Sequence, residues 1–163
     1  MLKNSLQLVL LVFAFICTTS CSKEDSQQDA HIGSWQLVEW NIGIDTDFNN
    51  DGIMSTNILD EFDCDFKEVV SFDSEGLMTH RLEYLPIVDI RLRDVDMSNY
   101  TFQYNCGEGI ISNAVVYTRE DLESYILEGN TMTTVTVDAV EIQNEAGTEV
   151  VSYLTSTKVY TRQ

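Results

Sequence analysis

The feature that most constrains this chain is an alternation of side chains with a period of two, which starts at Ile32 and continues to the C-terminus. β-Branched and aromatic residues recur at every second position, and short runs rich in Asp, Asn and Gly separate the alternating segments. This pattern is typical of half-buried β-strands joined by tight turns. Neither the 3.6-residue period of a long amphipathic helix nor a repeat of fixed length is present. The sequence therefore predicts an all-β domain with little helix.

The alternating segments predict about eight short strands. They cover residues 35–42, 66–72, 77–84, 100–104, 110–118, 125–132, 131–142 and 150–161, while residues 87–95 are either a strand or an irregular segment. Short connections such as residues 73–76 and 129–130 require antiparallel neighbours. A series of short strands of this kind predicts a sandwich or a barrel, and a barrel also removes the exposed sheet edges that promote aggregation.

The first 21 residues have the organisation of a secretory signal. Lys3 supplies the positive charge, residues 6–17 are an almost uninterrupted apolar run, and small residues follow. Thr19-Ser20-Cys21 resembles the lipobox of bacterial lipoproteins, in which cleavage leaves an N-terminal cysteine that carries the lipid. We therefore expect a lipoprotein signal peptide over residues 1–20 and lipid attachment at Cys21. The alternative is an ordinary signal peptide that is cut nearby.

The polar segment after Cys21 is expected to separate the anchor from the folded domain. Residues 21–31 lack periodicity and read as a lipidated N-terminus with a flexible tether, and residues 32–163 as the barrel domain. Residues 22–25 resemble the short Lys-acidic-acidic signal that sends lipoproteins of Bacteroidetes-type bacteria to the outside of the outer membrane. A plain solvated tether is the alternative. We expect an outer membrane lipoprotein, on the cell surface or on the periplasmic face.

The charge balance limits the partners of the protein. The chain has 27 Asp and Glu against 9 Lys and Arg, with a net charge of -18. Such a chain has no basic stripe to neutralise phosphates, which excludes a general nucleic-acid binder. It is also poorly suited to electrostatic docking on anionic lipid. Membrane attachment is therefore expected through the lipid anchor alone.

Two of the four cysteines are expected to form a disulfide. Cys17 leaves with the signal and Cys21 takes the lipid, so Cys64 and Cys106 remain in an exported chain. A pair of cysteines in an oxidising compartment predicts a disulfide. Closing a loop of about 40 residues would contribute about 3–4 kcal/mol. The alternative is two free buried thiols.

Four segments of the chain resemble lipocalin-like domains. They are the opening strand with Gly33-Ser34-Trp35, the strand and acidic-glycine turn at residues 70–76, the hairpin at residues 125–132 and the closing strand at residues 158–161. The whole is similar to the small lipocalin-like lipoproteins of Bacteroidetes-type bacteria. This resemblance implies an antiparallel meander that closes into a lipocalin-like β-barrel of about eight strands. It does not identify a ligand, because a fold does not fix a function.

One loop carries the pattern of a calcium site. Counting from its first Asp, residues with ligand-type oxygens fall at positions one, three, five, seven and nine: Asp47, Asn49, Asp51, Ile53 through its backbone carbonyl, and Ser55. Gly52 lies at position six, where calcium loops turn sharply. Position twelve is Ile58 instead of a bidentate glutamate, although Asp60 or Glu61 could reach back, and no amphipathic helix flanks the loop. The alternative is an acidic turn that binds no metal.

The expected function is that of a lipid-anchored, non-enzymatic module of the cell envelope that binds a small molecule or a partner. A small apolar ligand is one candidate, and Ca²⁺ is the one candidate cofactor. The runner-up is a structural accessory lipoprotein whose barrel is filled by aromatic residues, including Trp35, Trp40 and the face of residues 100, 102 and 104. An enzyme is the third reading, and it would need a cleft that holds His80 with a carboxylate and a nucleophile.

Overall fold

Residues 30–93 and 99–163 are described by the computed structural model. The predicted signal peptide, Cys21 and nearly all of the tether lie outside the described residues. The folded unit extends over His31–Gln163, one residue earlier than the boundary expected from the sequence. Within the described part of the chain, no helix is both long and apolar enough to cross a bilayer.

Nine strands account for most of the folded unit. They are β1 (Gly33–Asn41), β2 (Lys67–Phe72), β3 (Leu77–Glu83), β4 (Pro86–Leu92), β5 (Tyr100–Cys106), β6 (Ile110–Val116), β7 (Tyr125–Glu128), β8 (Thr131–Gln143) and β9 (Val150–Arg162). A 3₁₀ helix covers Ile58–Glu61, and a five-residue helix, α1, covers Arg119–Glu123. The sequence predicts only a turn at the start of α1. A reciprocal capping box between Thr118 and Asp121 stabilises it as a helix instead.

All nine strands belong to one strongly curled sheet, a half-barrel that is consistent with a lipocalin-like barrel. Its order is β5-β4-β8-β9-β1-β2-β3-β6, and β7 also pairs with β8. Neighbouring strands are antiparallel except β4 and β8, which pair in parallel over two residues. The all-β, lipocalin-like prediction is therefore confirmed.

The connections depart from a plain meander after β3. The free edge of β3 pairs with β6, from Leu77 opposite Val116 to Glu83 opposite Ile110. The hairpin of β4 and β5 consequently joins the other end of the sheet, beside β8. The segment between β3 and β4 contacts the segment between β5 and β6, because the Gly107 N–H donates a hydrogen bond to the Leu85 carbonyl at 2.9 Å. A Cβ atom at residue 107 would lie 2.5 Å from that oxygen, so the approach requires glycine.

Strand β8 is irregular at its centre. Its register against β9 shifts between Thr136 and Val140, and Asp138 has a φ of 52°. On its other edge, β7 pairs with residues 131–134 and β4 with residues 142–143. Residues 135–141 therefore have no partner strand on that edge among the described residues. This opening exposes the concave side of the sheet.

An aromatic cluster fills one end of the half-barrel. It joins the 43–65 loop to β5 through the rings of Phe48, Phe62, Phe102 and Tyr104, whose centroids lie 5.0–6.2 Å apart. Trp35 and Trp40 are buried, and Tyr100, Phe102 and Tyr104 pack against the same core. The expectation that these residues form the core is confirmed. Cys64 and Cys106 form a disulfide across the same contact, with Cα atoms 5.7 Å apart, as the cysteine count predicts.

Candidate functional site

A buried glutamate interrupts the apolar face of β2. The alternation places Phe66, Val70 and Phe72 on one face, and Glu68 has the same parity. Its side chain is 1% exposed, although an unpaired charge is rarely buried because it loses its hydration. The sequence carries a signal for this residue, because an acid here is in phase with the core positions of the strand.

Three side chains donate hydrogen bonds to the carboxylate of Glu68. Lys158 Nζ lies 2.6 Å from Oε2, while the Tyr160 hydroxyl lies 2.5 Å and His80 Nε2 3.0 Å from Oε1. Both carboxylate oxygens are thus satisfied. The arrangement neutralises the buried charge with an ammonium group and two further polar groups.

The partners come from strands that are distant in sequence. Glu68 lies on β2 and His80 on the adjacent β3, whereas Lys158 and Tyr160 lie on β9. Strand β1 separates β2 from β9 in the sheet. The side chains meet because the sheet curls and their strands direct alternate residues toward its concave side.

The polar contacts fix the charge of Glu68. Burial alone would raise its pKa, but the hydrogen bond from His80 and the charge and hydrogen bond of Lys158, with that of Tyr160, lower it to about 2. Burial raises the pKa of the Tyr160 hydroxyl, and the adjacent negative charge of Glu68 raises it further. Burial and the same charge raise the pKa of Tyr125. At neutral pH the cluster therefore consists of a carboxylate and protonated phenols.

Lys158 connects this cluster to an aromatic wall. Its Nζ atom lies 4.6 Å from the centroid of the Trp40 ring, within the range of a cation–π contact. The Trp40 Nε1–H donates to the Ser156 hydroxyl at 2.9 Å. The side chains of Lys158 and His80 are 21% and 36% exposed, so both reach the surface of the concave side.

A cavity of about 280 Å³ lies directly against the cluster. It is lined by Trp40, Glu68, His80, Tyr125, Thr134, Thr136, Ala139, Val140, Ser156, Lys158 and Tyr160. Thr134 and Thr136 face it from β8, whereas Val135 and Val137 of the same strand are 51% and 71% exposed. The hydroxyl-bearing residues, rather than the valines, thus line the cavity, although Thr136 is itself exposed like Val135 and Val137.

A second cavity of about 430 Å³ adjoins the first at the opening beside β8. The two share the lining residues Trp40, Ala139 and Val140. The second is otherwise bordered by β4, including Val88 and Ile90. A molecule there would therefore meet the polar cluster at Glu68 on one side and a mixed wall on the other, where Val88 and Ile90 of β4 lie among Asp89, Glu141 and Gln143.

His80 meets part of the requirement for an enzyme. The structure gives it a carboxylate partner inside a cavity. Across the described residues, however, the hydrogen bonds of His80 include no hydroxyl or thiol that could act as a nucleophile. The Ser156 hydroxyl, which also lines the cavity, accepts a hydrogen bond from Trp40 Nε1–H.

The predicted calcium loop is closed by a two-residue antiparallel bridge. Thr46 and Ser55 exchange two backbone hydrogen bonds of 2.9 Å. Between them, Asp47 accepts hydrogen bonds from the N–H groups of Asp51 and Gly52, and the side chains of Asn49 and Asp51 each accept one from an N–H two residues on. The Ser55 hydroxyl accepts from the N–H of Asn57, outside the loop.

The predicted ligands of this loop are thus neighbours, but they do not form a finished metal site. In the described segments, no three His, Cys, Asp or Glu side chains already lie close enough together to hold a metal ion. Glu61, which follows the loop on the 3₁₀ helix, is buried beside it.

Comparison of the chain with protein-family models, curated proteins and solved structures finds no match. The function is therefore argued from the geometry of the site itself.

Proposed function

We propose that this protein is a lipid-anchored, non-enzymatic binding module of the cell envelope, and that its half-barrel holds a small molecule in the cavity beside Glu68. The observation that carries this proposal is the neutralised Glu68–Lys158–His80–Tyr160 cluster, which lines a cavity of about 280 Å³. Ligand sites commonly combine such a concave surface with a few fixed polar groups.

A purely structural role gives no reason for this cluster. Replacing a buried ion pair by well-packed apolar residues is often neutral or stabilising. The neighbouring aromatic cluster around Phe48 and Phe62 shows that this sequence can fill part of the half-barrel with aromatic rings. Charged side chains and hydroxyls that face a void are better explained by a ligand that they orient.

The lining favours an amphipathic ligand over the wholly apolar one expected from the sequence. Lys158 has N–H groups beyond the one directed at Glu68, and Thr134 and Thr136 add hydroxyls. Trp40 and Val140 provide apolar contact. We propose a small molecule with an acceptor group, such as a carboxylate or a carbonyl, directed at Lys158, and an aliphatic or aromatic part directed toward β4.

The proposed cellular location of the protein follows from the proposed lipid anchor. We infer that the protein belongs with the lipocalin-like lipoproteins and that Cys21 carries the lipid at the outer membrane. A fatty-acid analogue should then label the wild-type protein but not Cys21→Ala, which should leave the membrane fraction. Labelling that persists in Cys21→Ala would refute the anchor without affecting the cavity.

The binding proposal is tested by filling the cavity. Thr136→Phe places a ring at a residue that lines the cavity, whereas Val137→Phe places the same ring at the next position of the strand, outside that lining. Protein purified from its native envelope should carry a small molecule in native mass spectrometry. We expect Thr136→Phe to lose the added mass and Val137→Phe to keep it, while both retain the circular dichroism of the wild type.

The same experiment separates the structural alternative. If wild-type protein never carries an added mass, and a panel of small aromatic and aliphatic carboxylates leaves the fluorescence of Trp40 unchanged, the half-barrel is a structural element. If Thr136→Phe retains the ligand as well as Val137→Phe does, the ligand binds elsewhere and the assigned cavity is wrong.

A further inference from the structure

The loop at residues 46–55 is an outward-facing turn that is fixed at its base. The bridge between Thr46 and Ser55 closes its base, and Gly52 adopts a φ of +84°, a conformation that other residues rarely tolerate. Phe48 is 2% exposed and anchors the loop in the aromatic cluster. The loop is therefore attached to the core through Phe48, while Asp51 at its tip is exposed.

Three side chains of the loop bring oxygen atoms together. The carboxylate of Asp47 lies against the N–H groups of Asp51 and Gly52 at 3.1 and 3.2 Å. The Asn49 amide oxygen shares the Asp51 N–H at 3.0 Å, and an Asp51 oxygen accepts from the Ile53 N–H at 2.7 Å. A carboxylate or amide oxygen has a second lone pair beyond such a bond, so each remains able to bind a cation.

A separate observation comes from Glu61 on the 3₁₀ helix. This residue is 3% exposed, and its Oε2 atom is fully buried without a hydrogen-bond partner among the described residues. Burial raises its pKa, hydrogen bonds to the backbone of Asn49 and Phe48 oppose that rise, and the charges of Asp51 and Asp47 reinforce it. A third carboxylate thus lies beside the loop, with one oxygen unsatisfied.

We propose that Asp47, Asn49, Asp51, the backbone carbonyl of Ile53 and Glu61 form a Ca²⁺ site. Ca²⁺ takes six to eight oxygen ligands and is satisfied by carboxylates, amides, backbone carbonyls and water. Glu61 supplies the remote carboxylate that a calcium loop needs, three residues after the position occupied by Ile58. Ser55, a candidate from spacing, is not among the five ligands proposed here, because its hydroxyl already accepts from the Asn57 N–H and donates to Asp60 at 3.4 Å.

The site closes on the ion. Three acidic side chains do not yet converge in the described structure, so the exposed Asp51 must turn toward Asp47 and Glu61 when Ca²⁺ binds. Mg²⁺ demands shorter, near-octahedral coordination and gives up its water reluctantly. The flexible loop should therefore prefer Ca²⁺, with the weak affinity of extracellular modules, on the order of 10⁻⁴–10⁻³ M.

The test uses Glu61→Gln, with Asp45→Asn as the matched control. Asp45 is an exposed acid beside the loop but outside the ligand set, so its replacement removes the same charge. Binding is measured by isothermal titration of the purified full chain with CaCl₂ and MgCl₂ at constant ionic strength, and thermal unfolding is followed in parallel. Asp51→Asn, which changes an exposed side chain, covers the case that Glu61→Gln fails to fold.

We expect Ca²⁺ at about ten times its dissociation constant to raise the Tm of the wild type and of Asp45→Asn by roughly 3–6 °C, and Mg²⁺ to raise it less. Glu61→Gln should be no less stable than the wild type without metal, because it removes a buried negative charge that Asp47 and Asp51 repel. It should nevertheless bind Ca²⁺ at least about tenfold more weakly, as should Asp51→Asn. If Ca²⁺ and Mg²⁺ act equally on all four proteins, or if Glu61→Gln and Asp51→Asn bind Ca²⁺ like the wild type, the proposal is wrong.

Discussion

Glu68 shows at the scale of a single residue how the site departs from an ordinary core. The alternation of β2 predicts an inward side chain at this position, and the structure confirms that direction. The partners could not be predicted in the same way. Lys158 and Tyr160 follow 90 and 92 residues later, and only the curl of the sheet brings them to the carboxylate. The alternation along one strand decides locally which way a side chain points. A contact that reaches across β1 depends instead on how the whole sheet curls.

The lowered pKa of Glu68 predicts a pH dependence of stability. The group has a pKa of about 2 in the folded protein against 4.5 without these contacts. Since the folded state favours the ionised form, the contribution is fully present above about pH 4.5 and is lost as the pH falls toward 2. It amounts to roughly 3 kcal/mol. Urea unfolding of the wild type at pH 7 and pH 3 should show a loss of roughly 2 kcal/mol from this group, because the folded-state carboxylate is still largely ionised at pH 3.

Glu68→Gln isolates the contribution of this residue. The variant should be about 3–5 kcal/mol less stable at pH 7, because the amide leaves Lys158 without its counter-charge. Its stability should also change less between pH 7 and pH 3 than that of the wild type. Glu39→Gln, at an exposed position on β1, provides the control and should keep the wild-type pH profile. Equal profiles for all three proteins would show that Glu68 does not hold a shifted charge.

At the scale of elements, the strands were largely predictable and their pairing was only partly so. The hairpins β2–β3 and β7–β8 have short glycine-containing turns that specify an antiparallel neighbour, and both are present. The position of β4 was not predictable, because two strands, β4 and β6, could compete for the edge of β3. That choice depends on contacts between distant segments, such as the fit of Gly107 against Leu85.

The residues of β8 that line the cavity could not be predicted from the sequence either. Val135, Val137 and Ala139 share a parity that indicates a common face, yet the two valines are exposed. The displacement of register at Asp138 places Ala139 at the cavity together with Thr134 and Thr136. A bulge of this kind redirects side chains toward a site, and no glycine marks its position in this part of the sequence.

The disulfide is predicted to stabilise the contact between the 43–65 loop and β5. It joins residues 42 apart in sequence, so the loop-closure argument gives a contribution of about 3–4 kcal/mol. The Cys64→Ser, Cys106→Ser double variant should lose about this much free energy of unfolding in urea. Each single variant should lose about the same free energy of unfolding as the double variant and should contain one alkylatable thiol. Two thiols that alkylate in the oxidised, folded wild type would contradict the bond.

At the scale of the whole molecule, the half-barrel has two unlike regions that meet at Trp40. One is filled by aromatic rings and tied by the disulfide, and the other holds an ionised carboxylate, an ammonium group and several hydroxyls around a cavity. A chain with only 9 Lys and Arg against 27 Asp and Glu places one of those few cations, Lys158, over Trp40 inside the sheet. Placing one of these few cations at the cavity suits a protein that orients a small ligand there.

The most direct test of the proposed binding function is a crystal structure of the protein purified from its native envelope without added ligand. We predict electron density for a small molecule in the cavity, with an acceptor atom within hydrogen-bond distance of Lys158 Nζ and an apolar part against Trp40 and Val140. Glu68 should retain its contacts with His80 and Tyr160. A cavity that contains only water, or one closed by the movement of Trp40 onto Val140, would contradict the binding function.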